Sequence, residues 1–221
     1  MSAETKESQS LYDLSRYYEN LRVEMLDFLP SKLGTMLEVG CGSASFSEVV
    51  KQTHGTETWG IEINDAMREL AEKRLDHLLI GDAMALLAEL PDNYFDCVVM
   101  NDVLEHFVDP YTFLEKLKGK LSGNGVVVCS IPNVRHYTNL YNLMFQKQWR
   151  YEDAGILDRT HLRFFTENSI RDMFDSLGYE VEVLKGVTRT THRTPKVVNA
   201  LSLGWLSDSL YLQFGCRARP R

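Results

Sequence analysis

The chain contains short runs of apolar residues, and between them lie stretches in which apolar residues recur at helical spacing among polar ones. The apolar runs predict strands at residues 35–39, 58–63, 77–82, 95–101 and 125–131. Residues 64–75 and 110–121 lie between these runs and carry apolar side chains at helical spacing. Asp109 is expected to cap the second of these helices, and Gly123 to lie just past its end. Strands that alternate with helices predict parallel βαβ units in a doubly wound α/β sheet.

The remaining parts of the chain have different patterns. Residues 1–10 are polar and predict a disordered tail, and residues 11–29 predict a helix that Pro30 ends. Near the other end, residues 179–188 and 210–218 predict two closing strands, one of them antiparallel. They follow a helix that Thr166 is predicted to cap and that runs through Leu177.

The predicted domain organisation is a single domain over residues 11–221. Its cofactor-binding half covers residues 34–131, and residues 132–221 hold an acceptor-side insertion and the closing strands. Residues 132–165 fit no regular βα pattern, and insertions of this kind often shape a binding site.

Composition narrows the class of protein. Apolar residues make up 44% of the 221 residues and charged residues 25%, as in soluble globular domains, and the net charge of −7 argues against a nucleic-acid partner. The first ten residues are polar and lack the apolar core expected of a signal peptide, and no apolar run is long enough to predict a membrane span. Its four cysteines are scattered, which predicts reduced thiols, a cytoplasmic location and no metal site.

The stretch "EVGCGSASF" predicts a tight turn between the first strand and a helix. Gly40 and Gly42 permit close approach of a ligand to the backbone and to the helix N-terminus. A dinucleotide fingerprint would need glycine at position 45, where this chain has Ser45. Glu38 would repel a pyrophosphate but suits a ligand that carries positive charge.

Three further strands end in polar residues. Glu62 ends the second strand and can accept hydrogen bonds from ribose hydroxyls, and Asp82 ends the third, where it can accept one from an adenine amino group. Asn101 and Asp102 end the fourth strand. Because ligands of open α/β sheets bind at the carboxyl ends of strands, these residues predict one nucleotide site.

In this order and spacing, "LEVGCGSASF", "GIEI", "GDA" and "FDCVVMNDVLEHF" resemble the motifs of class I S-adenosylmethionine-dependent methyltransferases. The resemblance implies a seven-stranded, mostly parallel Rossmann-like sheet whose last strand is antiparallel. It also implies S-adenosyl-L-methionine as cofactor and S-adenosyl-L-homocysteine as product. Ala44 occupies the position at which many members have a third glycine, and this difference implies a slightly different turn.

The resemblance also implies the cofactor contacts. They are Glu38, Gly40, Gly42, Glu62, Ile63, Asp82, Ala83 and Asn101. In similar enzymes the N-terminal helix folds over the cofactor, which would add Tyr18; the alternative is that Tyr18 anchors this helix to the core.

A hydroxyl acceptor often needs a general base, and the sequence offers several candidates. Asp102 and His106 lie four apart on a predicted helix and can share a face. The alternative for His106 is a packing role. His136 follows the fifth strand and is a candidate for acceptor contact.

The segment "GILDRTHLRFFT", residues 155–166, resembles a segment of bacterial methyltransferases from surface-polysaccharide and sugar-modifying pathways. In this interpretation Asp158 and Arg163 bind the acceptor, His161 is the base, and Leu162, Phe164 and Phe165 anchor the segment in the core. In the structural alternative, Asp158 pairs with Arg159 or Arg163 and His161 caps a carbonyl.

Together these features predict a methyltransferase that acts on a small molecule or glycan, at a sugar hydroxyl. The alternatives are a methyltransferase-like regulatory protein that binds S-adenosylmethionine, and a nicotinamide-dependent oxidoreductase. A homodimer is left open.

Overall fold

The computed structural model describes residues 21–221. The predicted tail, Tyr18 and the first part of the predicted N-terminal helix therefore lie outside the described residues. Within the described residues, the part of the predicted helix at Val23–Phe28 is a 3-10 helix, and Arg22 immediately before it has a left-handed backbone. Met25 and Phe28 of this helix are fully buried.

A seven-stranded sheet organises the described chain, in the order β3-β2-β1-β4-β5-β7-β6. The strands are β1 (Thr35–Val39), β2 (Glu57–Glu62), β3 (His77–Ile80), β4 (Phe95–Asn101), β5 (Leu121–Pro132), β6 (Tyr179–Arg189) and β7 (Tyr211–Pro220). The first five strands are parallel, and β7 is antiparallel to both of its neighbours. The predicted fold class is confirmed.

Seven α-helices accompany the strands in the described part of the chain. They are α1 (Ser45–His54), α2 (Arg68–Glu72), α3 (Ala83–Leu86), α4 (Pro110–Leu117), α5 (Tyr137–Phe145), α6 (Glu167–Ser176) and α7 (Arg193–Leu201). Asp109 caps α4 by accepting the Thr112 N–H, and Thr166 caps α6 in a reciprocal capping box with Ser169. Both caps were predicted.

Two predicted helices are shorter in the structure. The helix predicted at residues 64–75 divides into a 3-10 turn, capped by Asn64, and α2. The helix predicted at residues 110–121 ends at Leu117, and Gly123 lies inside β5 rather than beyond a helix end. Strand pairing overrides helix propensity here, because Leu121 pairs with Phe95 of β4.

The core lies on both faces of the sheet, so the central strands read as continuous apolar runs. Val98 of β4 belongs to a cluster with Phe113 and Phe174 on one face, and the next residue, Val99, belongs to a cluster with Phe46 on the other. Leu37 of β1 lies opposite Val98. This register brings the carboxyl ends of β1 and β4 to the same edge.

The segment of residues 133–165, which was expected to be irregular, lies beside that edge and is irregular except for α5. An isolated bridge between Asn133 and Phe165 closes its base, and a second bridge joins Glu152 to Asp158. The buried Asn133 side chain donates to the carbonyls of Asp208 and Tyr211. The insertion is therefore a fixed part of the fold beside the carboxyl edge.

Among the helices of residues 21–221, none has both the length and the apolar character needed to cross a membrane.

Candidate functional site

The turn from β1 to α1 has a left-handed backbone at three positions. Gly40 has φ 69°, Gly42 φ 54° and Ala44 φ 59°. A Cβ on Gly40 would lie 2.7 Å from the Val103 Cγ2 atom, so a side chain there would clash as well as strain the backbone. Ala44 keeps the left-handed conformation that glycine usually supplies, at a cost of about 1 kcal/mol.

Glu62 is fixed at the end of β2 and is nearly buried. Its Oε2 atom accepts the Gly42 N–H at 2.7 Å, and its Oε1 atom accepts the Asn64 N–H at 2.8 Å. Each carboxylate oxygen has two lone pairs, so each can accept one more hydrogen bond. The geometry suits two neighbouring hydroxyl groups of a ligand.

Glu38 has a different environment from the one expected. Its buried carboxylate accepts a hydrogen bond from the hydroxyl of Ser47 on α1. Burial raises the pKa of Glu38 to about 7, and the nearby Glu62 carboxylate adds to the rise. This geometry fits a role in positioning the turn better than direct ligand contact.

A cavity of about 160 Å³ lies against the strand ends. It is lined by Val39, Gly40, Ile61, Ile63, Gly81, Asp82, Ala83, Val103, His106 and Phe107. Ile63 is 74% exposed, which is unusual for an isoleucine and supplies an apolar wall. Asp82 caps α3 by accepting the Ala85 N–H at 3.0 Å through one oxygen. The sequence did not identify Val103 and Phe107 as lining residues. The only indication in the sequence was that they lie within three residues of His106.

Asn101, at the end of β4, has both polar side-chain atoms buried. Neither Nδ2 nor Oδ1 has a hydrogen-bond partner within residues 21–221. A buried polar group without a partner costs about 1–3 kcal/mol. Such a group at the carboxyl edge of an open sheet indicates a place for a polar ligand atom.

Asp102 and His106 do not share a helix face, which corrects the prediction. Asp102 has φ 55° and precedes the 3-10 turn that carries His106. The Asp102 carboxylate forms an ion pair with the buried Arg22 and accepts hydrogen bonds from Ser130 Oγ at 3.1 Å and Gln213 Nε2 at 2.7 Å. These partners commit Asp102 to structure, so it does not fit a general base.

A larger cavity of about 660 Å³ lies in the irregular segment. It is lined by His136, Thr138, Asn139, Asn142, Gln146, Gln148, Arg150, Glu152, Ile156, Leu157 and Leu212. His136 was predicted to contact an acceptor, and it does line this cavity. Its Nδ1 atom lies 2.8 Å from Thr138 Oγ1, and burial lowers the pKa of His136, so the ring is neutral near pH 7.

The segment 155–166 contributes less to this cavity than the sequence predicted. Asp158 does not line it: Oδ1 accepts both the N–H and the hydroxyl of Thr160, each at 2.7 Å. Arg163 does not line it either, because its guanidinium donates to the carbonyl of Val108. These two side chains stabilise the loop, as in the structural alternative, although without pairing to each other.

The apolar residues of this segment are also divided. Phe165 is buried in the main core, as predicted. Leu162 is 52% exposed and does not anchor the segment, and Phe164 is half-buried against Trp149, with ring centroids 5.2 Å apart. The alternation of polar and apolar residues was a poor guide because this stretch is neither helix nor strand.

Glu105, His106 and His161 come together where the segment folds back over the turn after β4. The N–H groups of Leu162 and Arg163 both donate to the Glu105 carbonyl. Burial raises the pKa of the Glu105 carboxyl to about 8. Sequence spacing gave no sign of this cluster, because tertiary folding alone brings His161 to the other two residues.

Comparison with known proteins identifies similar chains. A family model described as a methyltransferase domain matches residues 11–184. The malonyl-[acyl-carrier protein] O-methyltransferase of Haemophilus influenzae is 28% identical over 142 residues, which cover 59% of this chain and 54% of the relative. The ubiquinone biosynthesis O-methyltransferase of Bradyrhizobium diazoefficiens is 30% identical over 101 residues, covering 44% and 40%. The chain thus spans about half the length of these curated relatives.

The fold is shared with solved structures. A SAM-dependent methyltransferase from Archaeoglobus fulgidus superposes with a TM-score of 0.64 at 21% identity, covering 93% of this chain and 94% of that one. Identity at this level establishes the shared Rossmann-like fold and leaves the acceptor open.

Proposed function

The chain belongs to the methyltransferase-domain family, and we propose that it transfers the methyl group of S-adenosylmethionine to a polar small molecule. S-adenosylmethionine is the cofactor, in keeping with the family and with the class I methyltransferase fold. The observation that carries the proposal is the buried, unpartnered amide of Asn101. It lies at the same sheet edge as the Gly40 turn and Glu62.

The residues present at this edge fit the cofactor. Two further hydrogen bonds to Glu62 suit the ribose hydroxyls, and the uncommitted oxygen of Asp82 suits an adenine amino group. Ile63 and Ala83 would contact the adenine ring, since both line the smaller cavity. The small Gly40 keeps the approach to the strand ends open.

The charge at this edge also fits. Glu62 and Asp82 place negative charge beside a ligand that carries a sulfonium and an ammonium group. The bound cofactor supplies an activated methyl group that needs no further activation by the protein. Asn101 would bind and orient the methionine end, because an amide can both donate and accept hydrogen bonds.

The larger cavity supports a polyhydroxylated acceptor. Within residues 21–221, four amide side chains line it together with His136, Thr138, Arg150 and Glu152, and the aliphatic part of the lining is limited to Ile156, Leu157 and Leu212. Amides pair well with sugar hydroxyls, which act as both donors and acceptors. We therefore assign a sugar or other polyhydroxylated small molecule as the acceptor, with a hydroxyl oxygen as the methylated atom.

Methyl transfer needs the acceptor oxygen about 3 Å from the methyl carbon, in line with the breaking bond, with water excluded. In this account the cavity residues hold the acceptor, and the neutral ring of His136 accepts a hydrogen bond from its hydroxyl. His161 is not given the role of base, because its ring is buried beside Glu105 and its Nδ1 atom donates to the Ile156 carbonyl.

The test is an assay of methyl transfer from S-adenosylmethionine to a panel of sugars and nucleotide sugars, with S-adenosylhomocysteine measured by mass spectrometry. His136→Ala and Gln148→Ala should each raise the acceptor KM about 10-fold and leave S-adenosylhomocysteine affinity unchanged. Gln52→Ala, on the exposed side of α1, is the matched control. Unchanged acceptor kinetics in both cavity variants would contradict the acceptor site.

The alternatives predict other outcomes. A regulatory protein would bind S-adenosylmethionine tightly without turnover on any hydroxyl compound. An oxidoreductase would bind a nicotinamide cofactor in place of S-adenosylmethionine.

A cytoplasmic location agrees with the cysteines, because all four are free and buried. Light scattering of the purified protein would show whether it is a monomer or a homodimer.

A further inference from the structure

Three side chains that the proposed methyl transfer does not use meet beside the smaller cavity. Glu105, His106 and His161 each offer one donor atom, and these atoms lie within 4.8 Å of one another. We propose that this Glu105–His106–His161 cluster binds a divalent first-row transition metal ion, with Zn²⁺ as its simplest representative.

Both histidine rings are oriented as metal ligands are. Nδ1 of His161 lies 2.9 Å from the Ile156 carbonyl oxygen, and Nδ1 of His106 lies 3.2 Å from the Thr160 carbonyl oxygen. A carbonyl can only accept, so each Nδ1 carries the proton and each Nε2 keeps its lone pair. Metal-binding histidines are commonly held in this way through the other ring nitrogen.

The carboxylate of Glu105 has no other partner. The residue is 1% exposed, and neither oxygen has a hydrogen-bond partner within residues 21–221. Its nearest histidine atom, His161 Nε2, lies 4.0 Å from Oε1, which is too long for a hydrogen bond. Arg22 is the nearby cation, and it is already paired with Asp102 and Glu24. A bound cation would supply the interaction that this buried carboxylate lacks.

The donor set selects the class of ion. Two imidazole nitrogens and one carboxylate oxygen suit zinc and its first-row neighbours, whereas Mg²⁺ prefers an all-oxygen shell. Ligand distances of about 2.1 Å place tetrahedral donors about 3.4 Å apart, so a bound ion draws the three atoms together by about 1 Å. Three protein ligands leave a further coordination position open.

The open position would matter because the cluster lies between the two cavities. His106 lines the smaller cavity, and Ile156, whose carbonyl accepts from His161, lines the larger one. An ion here could bind and polarise an oxygen atom of the acceptor. That use of the site rests on the proposed function, whereas binding of the ion does not.

The test is metal binding to the full chain after dialysis against a chelator. Calorimetric titration with Zn²⁺, and visible absorption on titration with Co²⁺, should show one ion per chain and much weaker binding of Mg²⁺. Glu105→Gln and His161→Ala should each weaken Zn²⁺ binding by about 100-fold or more. Loss of a residue that only hydrogen-bonds to a metal ligand already weakens metal binding by about 10- to 100-fold, and loss of the ligand itself should weaken it further. Zn²⁺ should raise the melting temperature of the wild-type protein and not that of either variant.

His54→Ala removes an exposed histidine on α1 and should bind Zn²⁺ like the wild-type protein. Circular dichroism checks that each variant is folded, and His161→Gln replaces His161→Ala if the latter is not. Absence of Zn²⁺ binding by the wild-type protein, or equal affinity in Glu105→Gln, His161→Ala and His54→Ala, would overturn the proposal. Titration of the same samples with S-adenosylhomocysteine tests the proposed function separately.

Discussion

The carboxyl edge of β1–β4 and the irregular segment of residues 133–165 both border the candidate site, but they are built differently. At the carboxyl edge, Glu62 and Asn101 are each the last residue of a strand. In the irregular segment, residues are held by bonds to distant parts of the chain, such as Arg163 to the Val108 carbonyl. The first region is fixed by the sheet, and the second by tertiary contacts.

The two regions also differ in how their polar groups are satisfied. At the carboxyl edge, the Asn101 amide is unpartnered and Glu62 can accept further hydrogen bonds. In the irregular segment, Asp158 and Arg163 bond within the fold, and the amides of α5 and the following loop line the cavity instead. Charge alone is therefore a weak guide to a ligand in this segment, because Asp158 and Arg163 bond within the fold whereas Arg150 and Glu152 line the larger cavity.

The largest expected effect comes from Asp102, which lies at the carboxyl edge but binds within the fold. Asp102→Ala removes one of the two ion-pair partners of the buried Arg22 and leaves Ser130 Oγ and Gln213 Nε2 without their acceptor, so the free energy of unfolding should fall by about 3 kcal/mol. Denaturant unfolding measures this, with Asp102→Asn as the conservative variant. If Asp102→Ala is as stable as the wild-type protein but has greatly reduced turnover, Asp102 acts as a general base and this account of it is wrong.

Glu38 provides the next effect, on the pH dependence of stability. Its pKa is about 7 when folded against 4.5 as the ordinary value, so the folded chain binds more protons between those pH values. Stability therefore falls as pH rises through this interval, by about 3 kcal/mol in total. Glu38→Gln should lose this dependence and gain stability relative to the wild-type protein above pH 7.

Unfolding curves at pH 4.5 and pH 8 measure the difference, and Glu180→Gln on β6 is the control for loss of a carboxylate. A constant difference between wild type and Glu38→Gln across this range would contradict a buried, protonated Glu38.

Asn101 separates a ligand-binding residue from a structural one. Asn101→Ala should weaken S-adenosylhomocysteine binding by about 5- to 150-fold, equivalent to 1–3 kcal/mol, without lowering the melting temperature. The ligand-free protein loses only unpartnered atoms in this variant. Calorimetry and thermal unfolding measure both quantities, with the exposed Asn168→Ala as control. A lower melting temperature of Asn101→Ala together with unchanged S-adenosylhomocysteine affinity would show that Asn101 has a structural role and does not bind the ligand.

The sequence predicted the regular part of the molecule well. The bounds predicted for β1 and β4 match the structure, because strand patterns are local. Ile63, Asp82 and Ala83 line one cavity at the strand ends, since the carboxyl ends of parallel strands meet at one edge; their role as cofactor contacts stays a prediction.

The rest depended on contacts that no local pattern encodes. Arg22 reaches Asp102 across the sheet edge, and His161 reaches Glu105 only because the segment folds back. Asp102 and His106 were predicted to share one face of a helix, but the left-handed backbone at Asp102 keeps this residue out of the helical turn that carries His106. Such features follow from tertiary packing, which overrides helical propensity.

The smallest effect tests how firmly the irregular segment is held. Phe164 packs edge-to-face on Trp149, and such a pair contributes about 1 kcal/mol. Phe164→Leu should lower the free energy of unfolding by that amount and raise the acceptor KM, with S-adenosylhomocysteine affinity unchanged. An equal loss of S-adenosylhomocysteine affinity would mean that the two regions are not independent.

The central claim is that the carboxyl edge of β1–β4 binds S-adenosylmethionine through Glu62. Calorimetric titration of S-adenosylhomocysteine into the wild-type protein, Glu62→Ala and Glu57→Ala tests it most directly, because Glu57 and Glu62 begin and end the same strand. We predict binding to the wild-type protein and to Glu57→Ala, and binding weakened by about 1–3 kcal/mol in Glu62→Ala. Equal affinity in all three proteins, or no affinity in the wild-type protein, would contradict the account.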